Sequence, residues 1–464
     1  MLYRVLRGTA AIALRWFYSD VAVQGGERVP REGPLVILAN HPNALIDPLL
    51  VGTSVPRPVL LTAKATLFEH RALAWLLRAA GVVPLRRAKD ETGETAARSV
   101  TPERNAQAFA RVTSALREHR AVLVFPEGIS HDDPTLAPLK SGAARMALQA
   151  HREGVAGIRL LPIGLVFEAK ERPGSRVLLR VGDALDLDAW LAQHTDEAQG
   201  LTQELETRLR TVTLNFASAE RAARAVRLAR VLVAVAGAPS PVDAPESLHV
   251  EAATAVRVDA AVEGLADAPP HVTAAADALV SRLDAIDHEL RQRGVRLADV
   301  RISTRLPDAM AFVVREMPLA VLGMIAVALG WATHWLPLRA ARSLAVRSLT
   351  GNPSRDQPAM RTILFGLLAV LFWYVAQFVV LMRLAGPVVA LGWLAITFAA
   401  AHALRLRGGR LQRALHRARS FLALRADPSF QPRLVAAVDA LLEDALALER
   451  VLVGNRLPAA EQPG

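Results

Sequence analysis

The sequence predicts a layered α/β domain with a central, mostly parallel sheet, followed by a helical region and C-terminal membrane helices. Between residues 21 and 190, short apolar runs of strand length alternate with segments of helical spacing. Residues 191–310 have helical spacing and many charges, with a Pro- and Ala-rich linker at 236–247. Apolar stretches long enough to cross a bilayer follow within 318–401.

The composition excludes several classes of protein. Of the 464 residues, 52% are apolar, which excludes a disordered chain and leaves enough material for two or three domains. With no cysteine, disulfides, thiolate nucleophiles and cysteine-based metal sites are excluded. The net charge is +11 and only four of the basic residues are lysine. An arginine-rich, positive chain favours an anionic partner: nucleic acid, an anionic membrane surface or a phosphorylated substrate.

The first 20 residues are predicted to form an interfacial amphipathic helix. Arg4, Arg7 and Arg15 fall on one helical face, and apolar side chains occupy most of the remainder. The apolar run is short, Arg15 interrupts it, and no small-residue cleavage site follows, so a signal peptide is not expected. The alternative is a core helix with exposed arginines.

Four apolar runs bounded by turn residues are predicted strands. They are residues 34–40, 121–128, 158–168 and 176–185. Three segments with helical spacing lie between or beside them: residues 71–80, 103–119 and 141–151. Ligands of such α/β sheets bind at the carboxyl ends of the strands, so polar residues that follow these runs are the candidate site.

His41 and Asp47 follow the first predicted strand. Asp47 precedes Pro48, a pair typical of a helix start, so a helix is predicted to begin at Asp47 with His41 in the loop before it. A histidine held by a carboxylate through one ring nitrogen can act as a general base through the other. The alternative is a surface histidine beside an aspartate that only caps the helix.

Anion-binding groups follow two other predicted strands. Gly128 allows backbone amides to approach an anion closely, and Lys140, just before a helix start, can add positive charge. Arg86 and Arg87 follow a Gly-bounded apolar run, and arginine can hold a phosphate with two hydrogen bonds. Each group can equally be a solvated turn. No metal site is expected, because the adjacent residues 131–133 cannot easily converge on one ion.

Three apolar segments, at 318–338, 362–382 and 384–401, are predicted membrane helices. The last two form a hairpin with a tight turn, and a basic, amphipathic helical tail follows at 402–464. Arginines on both sides of 318–338 conflict with a single crossing there, so this segment is expected to be re-entrant or interfacial, or to pack beside the hairpin. The alternative is a set of buried hairpins in a large helical domain.

In this order and spacing, four blocks resemble the glycerolipid acyltransferase superfamily, which contains the glycerol-3-phosphate and 1-acylglycerol-3-phosphate acyltransferases. The blocks are Asn40–Asp47, Gly81–Arg87, Phe125–Gly128 and Leu161–Gly164. The resemblance covers about residues 20–185. Five residues separate His41 from Asp47, where the common family motif has four. This variant is most similar to the branch of fungal glycerol-3-phosphate/dihydroxyacetone-phosphate acyltransferases and their bacterial relatives, which also carry C-terminal membrane segments.

The resemblance implies an enzyme that moves an acyl chain from acyl-CoA or acyl carrier protein to a hydroxyl of a glycerol phosphate, towards phosphatidate in phospholipid synthesis. His41 would be the base and Asp47 would orient and stabilise its ring. The residues implied to hold the glycerol phosphate are Arg87, Glu127 and Gly128, with Arg86 and Lys140 as helpers. No metal or redox cofactor is implied.

The motifs do not distinguish glycerol-3-phosphate from its monoacyl form as the acceptor. A lysophospholipid-remodelling acyltransferase and a non-catalytic lipid-binding membrane protein remain as alternatives. The expected partner is a lipid bilayer rather than nucleic acid, because many arginines flank the membrane segments and no nucleic-acid motif is present. The Arg- and Ala-rich composition suggests a bacterial protein, expected in the inner membrane with its site facing the cytoplasm.

Overall fold

The computed structural model divides the chain into two units. The first contains Met1–Ala217 and Leu344–Phe365, and the second contains Ser218–Ser343 and Gly366–Gly464. The residues that the structure describes are 2–44, 46–64, 74, 82–85, 102–194, 197–236, 247–347 and 357–452.

The first unit alternates strands and helices, as the apolar runs predict. Its strands are β1 Asp20–Gln24, β2 Leu35–Ala39, β3 Val59–Leu60, β4 Thr62–Lys64, β5 Val83–Leu85, β6 Ala121–Val124, β7 Arg159–Phe167, β8 Arg176–Val181 and β9 Leu185–Asp186. Its helices are α1 Leu2–Phe17, α2 Ile46–Ser54, α3 Pro102–Arg117, α4 Gly142–Arg152, α5 Leu187–Leu191 and α6 Ala198–Val212.

The main sheet has the strand order β1-β8-β7-β2-β6-β3, with β9 paired to β7, and β4 pairs with β5 in a separate ladder. Strand β2 runs parallel to both β6 and β7, and β3 runs parallel to β6. Strand β8 is antiparallel to β7 and parallel to β1. The predicted α/β fold with a mostly parallel sheet is confirmed. The carboxyl ends of β6, β2 and β7 meet at one edge of the sheet.

The central strands are apolar on both faces because helices cover both sides of the sheet. All five residues of β2 are buried. Val36 and Leu38 belong to a core cluster that includes side chains of α3 and α4. Leu35 and Ile37 belong to a second cluster that includes side chains of α1 and α2. The helix that carries Asp47 is therefore anchored by the core beneath it.

Helix α1 forms where the amphipathic pattern predicts a helix. Leu14 and Phe17 are buried in the core. Arg7 donates to the backbone oxygen of Val55 at 2.6 Å, just after the end of α2, so this arginine stabilises the fold. The interfacial role of α1 stays a prediction.

The second unit is helical. Its helices are α7 Ala219–Ala236, α8 Leu248–Gly264, α9 Pro270–Arg293, α10 Leu306–Arg347, α11 Gln357–Ala426 and α12 Phe430–Leu452. The last residues of α10 and the first of α11 are assigned to the first unit. Helices α7, α8, α9 and α12 pack on one another as a bundle.

In the described part of the chain, one helical segment, Thr362–Ala403, is long and apolar enough to cross a membrane. A second candidate would be α10, if its parts Leu306–Pro318 and Gly323–Arg347, bent by 50°, form one span. The predicted membrane crossings stay predictions.

The apolar part of α11 is broken at Gly386, whose backbone angles are φ 84° and ψ 174°. The Trp393 indole N–H donates to the Gln377 side-chain oxygen at 2.7 Å. In a continuous helix, 16 residues would separate these two by about 24 Å, so the arms bend sharply towards each other. The predicted turn is present, but the second arm begins after Gly386 and not at the predicted Leu384.

Candidate active site

The loop after β2 is fixed at its start by Asn40. The Asn40 side chain donates to the backbone oxygen of Leu165 at 3.1 Å and accepts from the Leu165 N–H at 2.7 Å. An amide side chain thus continues the pairing of β2 with β7 beyond the last strand residue. This fixes the direction in which His41 leaves the sheet.

His41 and Asp47 form a hydrogen-bonded pair. His41 Nδ1 lies 2.9 Å from Asp47 Oδ2, and Asp47 Oδ2 also accepts from the Asn43 N–H at 2.7 Å. The helix begins at Ile46, so the predicted start at Asp47 is wrong by one residue. Asp47 does not cap its own helix, because its carboxylate faces the preceding loop. Five intervening residues still allow the two side chains to meet.

The two residues of the pair differ in how deeply they are buried. Asp47 is fully buried, whereas His41 is 9% exposed. Burial raises the pKa of the Asp47 carboxyl, and the hydrogen bonds from His41 and the Asn43 N–H oppose part of that rise. The His41 ring stacks on Phe125, with ring centroids 3.9 Å apart. No residue that the structure describes hydrogen-bonds to His41 Nε2, which leaves this nitrogen able to accept a proton.

Glu127 connects the end of β6 to the His41 loop. Its side chain is buried, and Oε1 accepts from the His41 backbone N–H at 2.8 Å. Oε2 accepts from the Ala137 N–H at 2.9 Å and contacts His131 Nε2. Both oxygens of this predicted substrate-binding residue are therefore engaged within the protein.

Gly128 and Lys140 lie side by side at the same sheet edge. Gly128 has a φ of 73°, in the left-handed region that favours glycine. A Cβ at this position would lie 3.2 Å from Lys140 Nζ. The Lys140 backbone N–H donates to Pro126 O at 2.9 Å, which holds this exposed lysine at the turn. The structure thus brings together two of the predicted anion-binding residues.

Sequence reasoning missed a second polar cluster beside the pair. Lys170, in the loop after β7, donates to the backbone oxygen of Pro42 and pairs with Asp132. Asn43 Nδ2 donates to the Tyr18 hydroxyl oxygen at 3.1 Å, and that hydroxyl donates to Lys170 O at 3.0 Å. Burial raises the pKa of Tyr18, so its hydroxyl stays protonated. The available signal was that Lys170 closely follows a predicted strand.

The second and fourth sequence blocks, Gly81–Arg87 and Leu161–Gly164, add no described side chain to this site. Arg86 and Arg87 lie outside the described residues, although β5 ends immediately before them at Leu85. The fourth block lies within β7. A Cβ at Gly164 would stand 1.9 Å from the backbone oxygen of Val212, so glycine there lets α6 pack directly on the strand.

Residues 20–166 match the model of the acyltransferase family. An acyltransferase of Schizosaccharomyces pombe, described as uncharacterised, is 26% identical over 290 residues, which are 44% of this chain and 43% of that protein. Glycerol-3-phosphate O-acyltransferase 2 of Saccharomyces cerevisiae is 35% identical over 85 residues, 18% of this chain and 11% of that protein. The 1-acyl-sn-glycerol-3-phosphate acyltransferase of Borreliella burgdorferi is 26% identical over 161 residues, 35% of this chain and 57% of that protein.

Among solved structures, the chain is similar to the 1-acyl-sn-glycerophosphate acyltransferase PlsC of Thermotoga maritima. The identity is 21% and the TM-score is 0.34, with 45% of this chain and 78% of that chain covered. The chain spans less than two thirds of the length of each of the three curated relatives. The segment that matches the acyltransferase family model, residues 20–166, contains the strand ends that carry His41, Asp47 and Glu127.

Proposed function

We propose that the protein is a membrane-bound O-acyltransferase that moves an acyl chain from acyl-CoA or acyl carrier protein to a hydroxyl of a glycerol phosphate in phospholipid synthesis. The observation that carries this proposal is the His41–Asp47 pair, joined at 2.9 Å, inside the segment that matches the acyltransferase family model. Nδ1 is bonded to a buried carboxylate while Nε2 is unbonded by the described residues. That is the arrangement that a general base requires.

In the proposed reaction, His41 Nε2 takes the proton of the acceptor hydroxyl as its oxygen attacks the thioester carbonyl. The Asp47 carboxylate stabilises the imidazolium that forms, through the hydrogen bond to Nδ1. The tetrahedral intermediate then collapses, its carbon–sulfur bond breaks, and the thiolate takes the proton from His41. The products are an acyl ester and a free thiol, and His41 returns to its starting state.

The glycerol phosphate would be held by positive charge at the same sheet edge. Lys140 is exposed beside Gly128, which supports a role in binding the phosphate. Arg87, with Arg86 as a helper, is proposed for the same role from the sequence resemblance. Both oxygens of Glu127 are already bonded within the protein, which supports a role in positioning His41 instead of direct contact with the acceptor.

Membrane attachment would place the site beside its lipid product. The segment Thr362–Ala403 is apolar and largely unburied, which supports insertion in a bilayer. On α1, the exposed side chains Arg4, Val5, Ile12 and Arg15 fall within one arc of the helix, and such a face suits an anionic lipid surface. We propose the bacterial inner membrane, with the site on the cytoplasmic side.

The test is transfer of a labelled acyl chain from acyl-CoA or acyl carrier protein to glycerol-3-phosphate and to 1-acylglycerol-3-phosphate, in parallel vesicle reactions. His41→Ala should lower turnover by about 10²–10⁴-fold, the contribution of a general base. The matched control is His194→Ala, which removes an exposed histidine of the same unit that stacks on Trp190.

Each outcome selects one function. Transfer to one acceptor, lost in His41→Ala and kept in His194→Ala, would establish the reaction and its step. Transfer only to lysophospholipids other than 1-acylglycerol-3-phosphate would assign a remodelling enzyme. No transfer from either donor to any of these acceptors, with lipid binding retained, would favour a non-catalytic lipid-binding protein.

A further inference from the structure

A cavity of about 560 Å³ lies in the bundle formed by α7, α8, α9 and α12, lined entirely by residues of the second unit. Its volume falls within the range of roughly 300–1,000 Å³ that is usual for small-molecule sites. The acyl-transfer reaction proposed above uses none of the residues that line it. The cavity therefore needs an explanation of its own.

The wall of this cavity is almost entirely aliphatic. Among its lining residues, only Ser247, Thr254, Arg257 and Glu449 carry polar side chains. The rest are alanine, valine and leucine, such as Leu228, Leu232, Leu279, Leu283 and Leu442. No aromatic ring is among the described residues that line the wall, so these residues offer a flat ring system no stacking surface. A flexible aliphatic ligand matches this lining.

The two charges in the wall neutralise each other. Arg257 Nε donates to Glu449 Oε1 at 2.5 Å, and Arg257 Nη2 donates to Glu449 Oε2 at 2.6 Å. The remaining nitrogen, Nη1, has no hydrogen-bond partner among the described residues. It can donate to a carbonyl oxygen. A ligand carboxylate bound to Arg257 would lie beside the negatively charged Glu449 carboxylate and be repelled by it. An uncharged ligand carbonyl is therefore favoured at this position.

Three aliphatic residues of the lining are also exposed to solvent. Val250, Val280 and Leu446 are 45%, 36% and 44% exposed. Exposed aliphatic side chains that also line a cavity lower the cost of passing an apolar chain from a lipid phase into the bundle. From the aliphatic lining, the neutral ion pair and these exposed apolar residues together, we propose that the bundle binds one long acyl chain, with Arg257 donating to the carbonyl group at its head.

The experiment uses the full chain in phosphatidylcholine vesicles and a palmitic acid that carries a photoreactive diazirine near its methyl end. After irradiation, labelled peptides are mapped by mass spectrometry. Labelling is expected in α7, α8, α9 and α12, and unlabelled acyl competitor should abolish it. Any labelling of Thr362–Ala403 by bulk lipid should not saturate, which separates a site from partitioning.

A matched pair of variants tests the cavity itself. Ala445 lines the cavity, whereas Ala447, two residues further along α12, is exposed and does not. Ala445→Phe should lower bundle labelling on the order of tenfold, because each methylene kept out of the site costs a factor of about four in affinity. Ala447→Phe should label like the wild type, and circular dichroism tests whether both variants fold.

Two competitors distinguish the sources of the chain. Palmitate and 1-palmitoylglycerol present the same acyl chain as a free acid and as an uncharged ester, and the neutral wall predicts that the ester competes at lower concentration. Equal labelling in Ala445→Phe and Ala447→Phe, or bundle labelling that neither competitor reduces, would overturn the proposal. If Ala445→Phe does not fold, the wild type alone tests the proposal: labelling of the bundle must saturate with probe concentration and be abolished by unlabelled competitor. His41→Ala should keep the labelling, so failure of the acyl-transfer proposal would leave this one standing.

Discussion

Glu127 Oε1 accepts the backbone N–H of His41 at 2.8 Å, across the adjacent carboxyl ends of β6 and β2. Its second oxygen accepts from the Ala137 N–H and contacts His131. The Glu127 carboxylate of the third sequence block thus fixes the backbone of His41, the proposed base, in the first block. Since both groups are buried, removing the acceptor would leave an unpaired N–H where water cannot replace it.

Glu127→Ala is therefore expected to lower kcat with little change in the KM for the acceptor. An unsatisfied buried group costs about 1–3 kcal/mol, and a cost of that size in the activation free energy would lower kcat by roughly 5–150-fold. Glu127→Gln keeps one acceptor oxygen and should recover part of the rate. The measurement is steady-state kinetics, with the exposed Glu118→Ala as control. A rise in acceptor KM at unchanged kcat would instead assign Glu127 to substrate binding.

Lys170→Met should also lower kcat, by about tenfold, because it removes the charged donor to Pro42 O next to His41. Lys170→Arg keeps a charged donor and should restore part of the activity. The comparison of kcat and KM among the three proteins is the measurement. Equal rates in the wild type and the methionine variant would show that the loop holds its shape without this contact.

The sequence was most informative where its signal is local. Apolar runs predict β2, β6, β7 and β8, and the His41–Asp47 pair follows from the strand end before it. Lys170 also follows a predicted strand, but that position alone does not reveal which loop it contacts. Its place beside Pro42 depends on the pairing of β2 with β7, strands that lie more than 100 residues apart in the chain. Parallel pairing of this kind leaves no local signature, because the partner strand can lie anywhere in the sequence.

The occupied oxygens of Glu127 are a second feature that the sequence does not reveal. A glutamate at a strand end can face solvent or turn inward, and only the neighbouring loop decides which. The same limit applies to the helix hairpin. The Gly-Pro pair at residues 386–387 predicts a break, but only the positive φ of Gly386 identifies the residue that makes it.

Gly128→Ala should weaken binding of the phosphate acceptor as well as the fold. Alanine at a left-handed position costs roughly 1–2 kcal/mol of stability, and here its Cβ would also displace Lys140. Gly174→Ala is the matched control, because Gly174 has a φ of 82° with no atom within 4 Å of an added Cβ. Both variants should lose similar stability, and only Gly128→Ala should raise the acceptor KM. Equal KM values would remove Lys140 from the phosphate site.

The stability of the first unit should depend on pH through Asp47. Burial raises the folded-state pKa of this carboxyl above its ordinary value of 3.8, so the folded protein holds the proton more tightly than the unfolded chain. The resulting stabilisation is complete below the ordinary pKa and is lost as pH rises through the raised folded pKa. Thermal unfolding of wild type and Asp47→Asn across that window should show the wild type losing stability relative to the variant. The opposite slope would mean that pairing with His41 outweighs burial.

Gly164→Ala should destabilise the first unit, because its Cβ would stand 1.9 Å from Val212 O and α6 would have to move away from β7. Overpacking of this kind typically costs about 1–3 kcal/mol. Gly200→Ala, on the same helix as Val212, places its Cβ 3.8 Å from Trp190 and should be neutral or stabilising by up to about 1 kcal/mol. Urea unfolding of the two variants measures the difference. Since Leu165, next to Gly164, holds Asn40, acyl transfer should fall together with stability in Gly164→Ala. A variant that lost stability but kept full activity would show that the His41 loop does not depend on the position of β7.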